Sequence, residues 1–267
     1  MSELGLAVTD GWIVAKRNLT KIKRVPDLLI FSTIQPIMFV LLFAYVFGAA
    51  IKISGVPYRE YLMAGIFTQT VAFGAAITAV GLAEDLQKGT IDRFRSLPMS
   101  RAAVLVGRTT SDLLNNVLVV IVMSVCGLLV GWRIHTDPLR ALGGFALLFA
   151  FGYAMSWVSA TIGLSVKSVE VAQSAGFIWL FPLTFLSNAF VPTQSLTHWL
   201  QVVADWNPIS SVVLSLRDLW GNSAQGTGRG QGFPAQHPLL LSVLWILGIL
   251  VVFLPLAVRK YRRAASR

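Results

Sequence analysis

An all-α fold that crosses a membrane six times follows from three observations. Only 13% of the 267 residues are charged, against roughly 25% in a soluble domain. Hydrophobic residues make up 55%, and mean hydropathy is +0.69. Six apolar stretches reach about 20 residues, the length at which a helix spans a bilayer. They are Leu28–Ala50, Tyr61–Leu82, Leu113–Trp132, Ala141–Gly163, Val171–Val191 and Leu239–Val258, and none contains Asp, Glu, Lys, Arg or His. The first is too long for a secretory h-region and stands behind a long arm, so it reads as a span and not a cleaved signal.

Orientation follows from the basic residues. Lys16, Arg17, Lys21, Lys23 and Arg24 precede the first stretch. Lys88, Arg93, Arg95, Arg101 and Arg108 fall between the second and third, Lys167 between the fourth and fifth, and Arg259, Lys260, Arg262, Arg263 and Arg267 after the last. The opposite side has only Lys52, Arg59, Arg133, Arg140, Arg217 and Arg229. The positive-inside rule then puts both termini in the cytoplasm of a cell (inner or plasma) membrane. Net charge is +10; clustered beside apolar runs, it suits anionic lipid and not nucleic acid.

The arm 1–27 has Leu4, Val8, Trp12, Ala15, Leu19 and Ile22 at helical spacing, with its basic residues largely off that stripe. It predicts an amphipathic helix in the cytoplasmic interface, ended by Pro26. In the region 83–101, Gly89 suits a helix end, Thr90 a cap and Asp92 the positive end of a new helix. Ile91, Phe94 and Leu97 form a stripe, Arg93 and Arg95 project elsewhere, and Pro98 stops the helix. A short charged helix with apolar anchors suits a surface gripped by another protein; a self-packed loop is the alternative.

The extracytoplasmic connection 192–238 holds two apolar pieces too short to span, broken at Asp205–Pro208, with Asn207–Pro208 as cap and first position. A re-entrant or interfacial helical hairpin is expected, with Trp199, Trp206 and Trp220 at the interface. The glycine-rich stretch after it is a flexible loop without a phosphate-loop pattern. The tail 259–267 is basic. Cys126 lies alone in an apolar run, and His135, His198 and His237 are dispersed, so no metal site is expected.

The uncharged stretches carry polar and aromatic groups. Gln35, Phe67, Thr68, Gln69, Phe181, Phe185 and Asn188 are candidates to line a path, with Thr70, Phe73, Asn115, Asn116, Phe177 and Ser187 beside them in the same stretches. Helix–helix hydrogen bonding and lipid contact are the competing roles. Gly127 and Gly131 form a GxxxG pattern at the end of the third stretch. The chain has no GxxxxGK[ST] segment, so its energy must come from outside.

Two blocks carry a resemblance. The first is AEDLQKGTIDRFRSLPMSRAAVLVGR, Ala83 to Arg108. The second is FLSNAFVP, Phe185 to Pro192, followed by WLQ at Trp199–Gln201, NPIS at Asn207–Ser210 and Arg217. Over nearly its whole length the chain resembles the type-2 permeases of ABC transporters, within them the daunorubicin-resistance-type multidrug exporters. It departs at Thr197, where that family commonly has proline. The resemblance implies a single permease domain, 1–267, without ATPase activity of its own. It implies a coupling helix contacting a separate ATP-binding subunit through Glu84, Gly89, Ile91, Asp92, Arg93, Phe94, Arg95, Leu97 and Pro98. A second permease copy, as a homodimer, or a paralogue would complete the path. This chain would hold no cofactor; ATP and Mg would be bound by the partner. The cargo would be a small amphipathic drug or secondary metabolite, with a lipid, glycolipid or polysaccharide as the alternative; a non-transporting scaffold is the reading from another class.

Overall fold

The structure, a computed structural model, describes residues 26–47, 53, 55–88, 101–166, 168–193, 196–223 and 232–264. The amphipathic arm, the coupling residues Gly89, Ile91, Asp92, Arg93, Phe94, Arg95, Leu97 and Pro98, most of the glycine-rich stretch and the last tail residues lie outside them.

Among the described residues the regular elements are helices. They are α1 (Pro26–Leu41, continued by a π-helical stretch Leu42–Phe47), α2 (Tyr58–Gln87), α3 (Arg101–Val130), α4 (Pro138–Gly163), α5 (Val169–Phe185), α6 (His198–Asp205), α7 (Pro208–Trp220), α8 (Phe233–Gln236) and α9 (Pro238–Ala264). Local chemistry sets several ends. Asp137 caps α4, its side chain accepting from Arg140 N, with Pro138 at the first position. Ser168 caps α5 through Val171 N. Asn207 caps α7 through Ile209 N at 2.8 Å, and Gly221 ends it with φ 75°, the left-handed conformation glycine adopts without strain.

Among the described residues four helical segments are long and apolar enough to cross a membrane: Tyr58–Gln87, Leu105–Val130, Pro138–Gly163 and Pro238–Arg262. The remaining apolar helical runs, Thr33–Val46 and Val169–Phe185, are shorter. The fifth stretch was expected to run to Val191, but its helix stops at Phe185. Pro182 withholds one backbone N–H there, and the Asn207 amide takes the Leu183 and Leu186 carbonyls at 2.7 and 2.8 Å.

The helices run beyond the apolar stretches and take in ionisable groups there. The segment Leu105–Val130 begins eight residues before the apolar stretch and carries Arg108 and Asp112. Gly131 lies past the helix with φ 105°, so it ends α3 instead of extending a packing face with Gly127.

Helix α2 is the hub. In its most apolar window 72% of residues are buried, against 22% in α9. Missing side chains bring its neighbours close. A Cβ on Gly65 would lie 2.0 Å from the Ala189 oxygen, and one on Gly74 2.1 Å from Asn116 Oδ1. On α4, a Cβ on Gly163 would lie 2.4 Å from the Ala79 oxygen. At the end where α2 begins, Phe67, Trp132, Phe145 and Trp220 form a cluster with ring centroids 5.1–6.3 Å apart. Trp220 is fully buried in it, not interfacial as expected. Beside it, the buried Glu60 carboxylate accepts from Asn222 Nδ2 at 3.1 Å and pairs with His135 Nε2 at 2.9 Å. These bonds tie α2, the α3–α4 connection and the end of α7 together.

Candidate functional site

Three features converge on α2. At its Lys88 end, beside the coupling segment, Glu84 pairs with Lys88 one turn away. The Arg108 guanidinium lies over Gly81, where a Cβ would be 1.7 Å from Nη2. Its Nε meets Asp112 at 3.4 Å and its Nη1 meets Asp85 at 3.7 Å. Thr78 donates to Asp112 at 2.6 Å. Charge-assisted bonds in this half-buried place join α2 to α3, the two helices that flank residues 89–100 in sequence. Arg108 belongs to the first sequence block; Asp112 and Thr78 were not singled out, because a lone acid near a helix start also reads as a dipole partner.

At mid-helix a cavity of about 160 Å³ opens between α1, α2, α3 and α5. Gln35 and Phe39 come from α1; Gln69, Thr70 and Phe73 from α2; Asn115 and Asn116 from α3; Phe177 from α5. Four side-chain amides thus meet three aromatic rings. The Asn116 amide is 3% exposed and its Nδ2 has no hydrogen-bond partner. A buried donor without an acceptor costs about 1–3 kcal/mol, so Asn116 is a group poised to bind something.

From the cavity runs a ladder of phenylalanines. Phe73 contacts Phe177 and Phe181 at 5.8 and 5.3 Å. Phe181 stacks on Phe185 at 5.9 Å, Phe185 meets Phe190 at 5.8 Å, and Phe190 stacks on Phe43 at 4.6 Å. Phe43 returns to Phe39 at 5.8 Å, so the ladder begins and ends at the cavity. Phe181 and Phe185 stay about half exposed.

The structure thus brings Gln35 and Gln69 into the cavity and Phe181 and Phe185 onto the ladder. Three other expected lining residues face elsewhere. Phe67 is the fully buried centre of the aromatic cluster. Thr68 is fully buried, its hydroxyl donating to the Ala64 carbonyl one turn back. Asn188 is buried in the turn described next.

That turn, Leu186–Thr193, is irregular backbone whose carbonyls are taken up by side chains of α2 and α7. Tyr61 Oη donates to Asn188 O at 3.4 Å and Tyr58 Oη to Phe190 O at 3.2 Å. Arg217, 1% exposed, donates through Nη2 to Asn188 O at 2.9 Å and Ala189 O at 3.2 Å, and through Nε to Tyr61 O at 2.9 Å. Its guanidinium carbon stands 3.3 Å from the Tyr61 ring centroid. Irregular backbone within a membrane protein persists only where such partners replace water. The second sequence block, FLSNAFVP with its NPIS and arginine, is this turn and its supports. Tyr58 and Tyr61 were missed. Arg217 shares the buried face of α7 with Val213 and Trp220 at helical spacing, and that placement was the available signal.

An all-helical membrane protein with an amide-lined cavity among its helices is the class these features define. The family model for the ABC-2 type transporter matches residues 9–219. The chain belongs to the ABC-2 type transporter family. It is 32% identical over 246 residues to the daunorubicin resistance ABC transporter permease protein DrrB1 of Streptomyces coeruleorubidus, covering 92% of this chain and 83% of that one. To the probable doxorubicin resistance ABC transporter permease protein DrrC of Mycobacterium tuberculosis it is 25% identical over 269 residues, 98% of this chain and 91% of that one. A putative transport permease, ycf38, of Cyanophora paradoxa is 25% identical over 222 residues, 81% of this chain and 76% of the relative.

Proposed function

We propose that this chain is the membrane-spanning subunit of an ATP-driven exporter of small amphipathic drugs or secondary metabolites. The observation that carries this reading is the amide-lined cavity at the foot of a phenylalanine ladder, in a chain of this family. Amides fix hydrogen-bonding groups without demanding charge, and rings accept apolar surface. The names of the relatives, which speak of daunorubicin and doxorubicin resistance, support an amphipathic aromatic cargo. A cavity of about 160 Å³ takes one substituted ring, whereas drug-sized ligands fill roughly 300–1,000 Å³. One chain therefore offers a part-site, and a second copy or paralogue completes the path.

In this reading α1 and α5 cross the membrane as well, making six spans, with both termini in the cytoplasm and the Lys88 end of α2 facing the ATPase. The residues Glu84, Gly89, Ile91, Asp92, Arg93, Phe94, Arg95, Leu97 and Pro98 form the contact with that subunit, which binds ATP and Mg. Closure of the ATPase pair displaces this segment, and α2 and α3, joined by Arg108 with Asp85 and by Thr78 with Asp112, follow together.

The test is co-purification from detergent-solubilised membranes, wild type beside Phe94→Asp. Wild type should bring down an ATP-binding subunit and Phe94→Asp should lose it while remaining in the membrane. A well-folded wild type that captures no ATPase under several conditions removes the energy source and the exporter reading with it.

A further inference from the structure

Arg217 joins elements that α7 alone does not need. Its own helix is already capped by Asn207 and Gly221. Its three hydrogen bonds leave α7 for α2 and for the turn after α5. We propose that Arg217 is the positioning residue that makes the hairpin, residues 186–193 and 196–220, travel with α2 as one body. The inference rests on the exporter reading above.

Four observations support it. Helix α2 runs without a proline from Tyr58 to Gln87 and leads directly into the coupling segment, so a displacement at Lys88 reappears at Tyr58. The guanidinium fork spans two partners at once, Tyr61 O on one side and the 188 and 189 carbonyls on the other, which a single ammonium cannot do. The approach of Gly65 to Ala189 leaves no room for the turn to slide along α2. The rival attachment, to α9, consists of neutral bonds, Ser215 with Ser242 at 2.9 Å and Trp245 Nε1 to Trp206 O at 3.1 Å, while Trp220 Nε1 to Ala141 O at 3.3 Å and Thr136 Oγ1 to Leu219 O at 2.6 Å hold α7 to the start of α4, a helix that itself packs on α2. Charge-assisted bonds in a water-free place outlast neutral ones when the two attachments are pulled apart.

The last bond also fixes the level of the hairpin. Trp245 lies about 10 Å along α9 from Pro238, at 1.5 Å per residue, while His135 N meets Trp220 O where α3 ends. The hairpin therefore descends beside the spans and returns, and whatever moves it opens or closes one end of the bundle.

The test uses the complete permease–ATPase complex in nanodiscs. Spin labels are placed at Lys88→Cys with Val203→Cys, and separately at Val251→Cys on α9 with Val203→Cys, all at exposed positions, in a Cys126→Ser background. Labelled permease is diluted with unlabelled copies so that each complex carries one pair. Between the nucleotide-free state and ATP trapped on a hydrolysis-blocked ATPase subunit, the Lys88–Val203 distance should change by less than about 2 Å, the scale of a helix adjustment. The Val251–Val203 distance should change by more. A Lys88–Val203 change as large as that of Val251–Val203, or no change in either, overturns the proposal. Failure to capture an ATPase sinks the exporter reading first, and this one with it. In parallel, Arg217→Gln and Arg217→Lys are compared at equal amounts of monodisperse complex. Both should retain ATP hydrolysis within about 2-fold while drug transported per ATP falls at least about 10-fold, because neither restores the fork. Unchanged transport per ATP in either folded variant overturns the proposal; a purely structural role would lower both activities together.

Discussion

Gly65 of α2 and Ala189 of the irregular turn approach so closely that a Cβ on Gly65 would lie 2.0 Å from the Ala189 carbonyl oxygen. The obstacle is backbone, which cannot rotate aside as a side chain would. Gly65→Ala should therefore destabilise the protein by about 1–3 kcal/mol or more, the cost of overpacking. Gly143, on α4, has nothing within 4 Å of its would-be Cβ. Gly143→Ala should stabilise by about 0.5–1 kcal/mol, since alanine loses less backbone entropy in a helix. Thermal unfolding of both variants in the same detergent checks the pair.

Arg108 and Asp112 are both mostly shielded, so removing the arginine leaves the Asp112 carboxylate without its cation and with the Thr78 hydroxyl alone. Arg108→Leu should cost about 3–5 kcal/mol. The double variant Arg108→Leu, Asp112→Leu should recover part of that loss. A double-mutant cycle in thermal stability measures the coupling of this pair; strict additivity would contradict it.

Asn116→Leu removes an amide donor that has no partner. Stability should stay equal or rise, because an unpaired buried donor is lost. Export at low drug concentration should fall about 3–10-fold, the worth of one hydrogen bond to the ligand. Parallel unfolding and vesicle transport assays separate the two effects.

Burial holds the Asp205 carboxyl above its usual range, against the Thr193 hydroxyl that favours the charged form. With the folded value raised, the stability from protonated Asp205 is complete below the unfolded pKa of about 3.9. It is lost as pH rises through the higher folded value. Asp205→Asn keeps an oxygen to accept from Thr193 and removes this loss. At pH 7 it should unfold at least as high as wild type, and its pH profile above 4 should be flatter.

Much of the fold was legible because hydropathy and turn chemistry are local. Asn207–Pro208 announced the break between α6 and α7, and Asp137–Pro138 caps α4 as the same grammar dictates. Composition alone required the bilayer. The candidate site was half legible. Amides and phenylalanines in apolar stretches mark a possible path, but their facing depends on which sides of α2, α3 and α5 meet. Thr68 and Gln69 are adjacent in sequence, yet one bonds its own helix and the other reaches the cavity. Phe67 gave no sign that Trp132, Phe145 and Trp220 would enclose it, since those contacts span the whole chain. The end of α5 at Phe185 was hidden because the groups that satisfy its carbonyls come from Asn207, more than 20 residues on.

The seven phenylalanines have a consequence for selectivity. Identical rings in a row offer no favourite rung. A flat ligand stepping from Phe181 to Phe185 gives up one stacking partner and gains its twin, so it meets neither a deep trap nor a steep barrier. In the exporter reading such a surface would judge poorly what crosses it, and discrimination would fall to the few amides of the cavity.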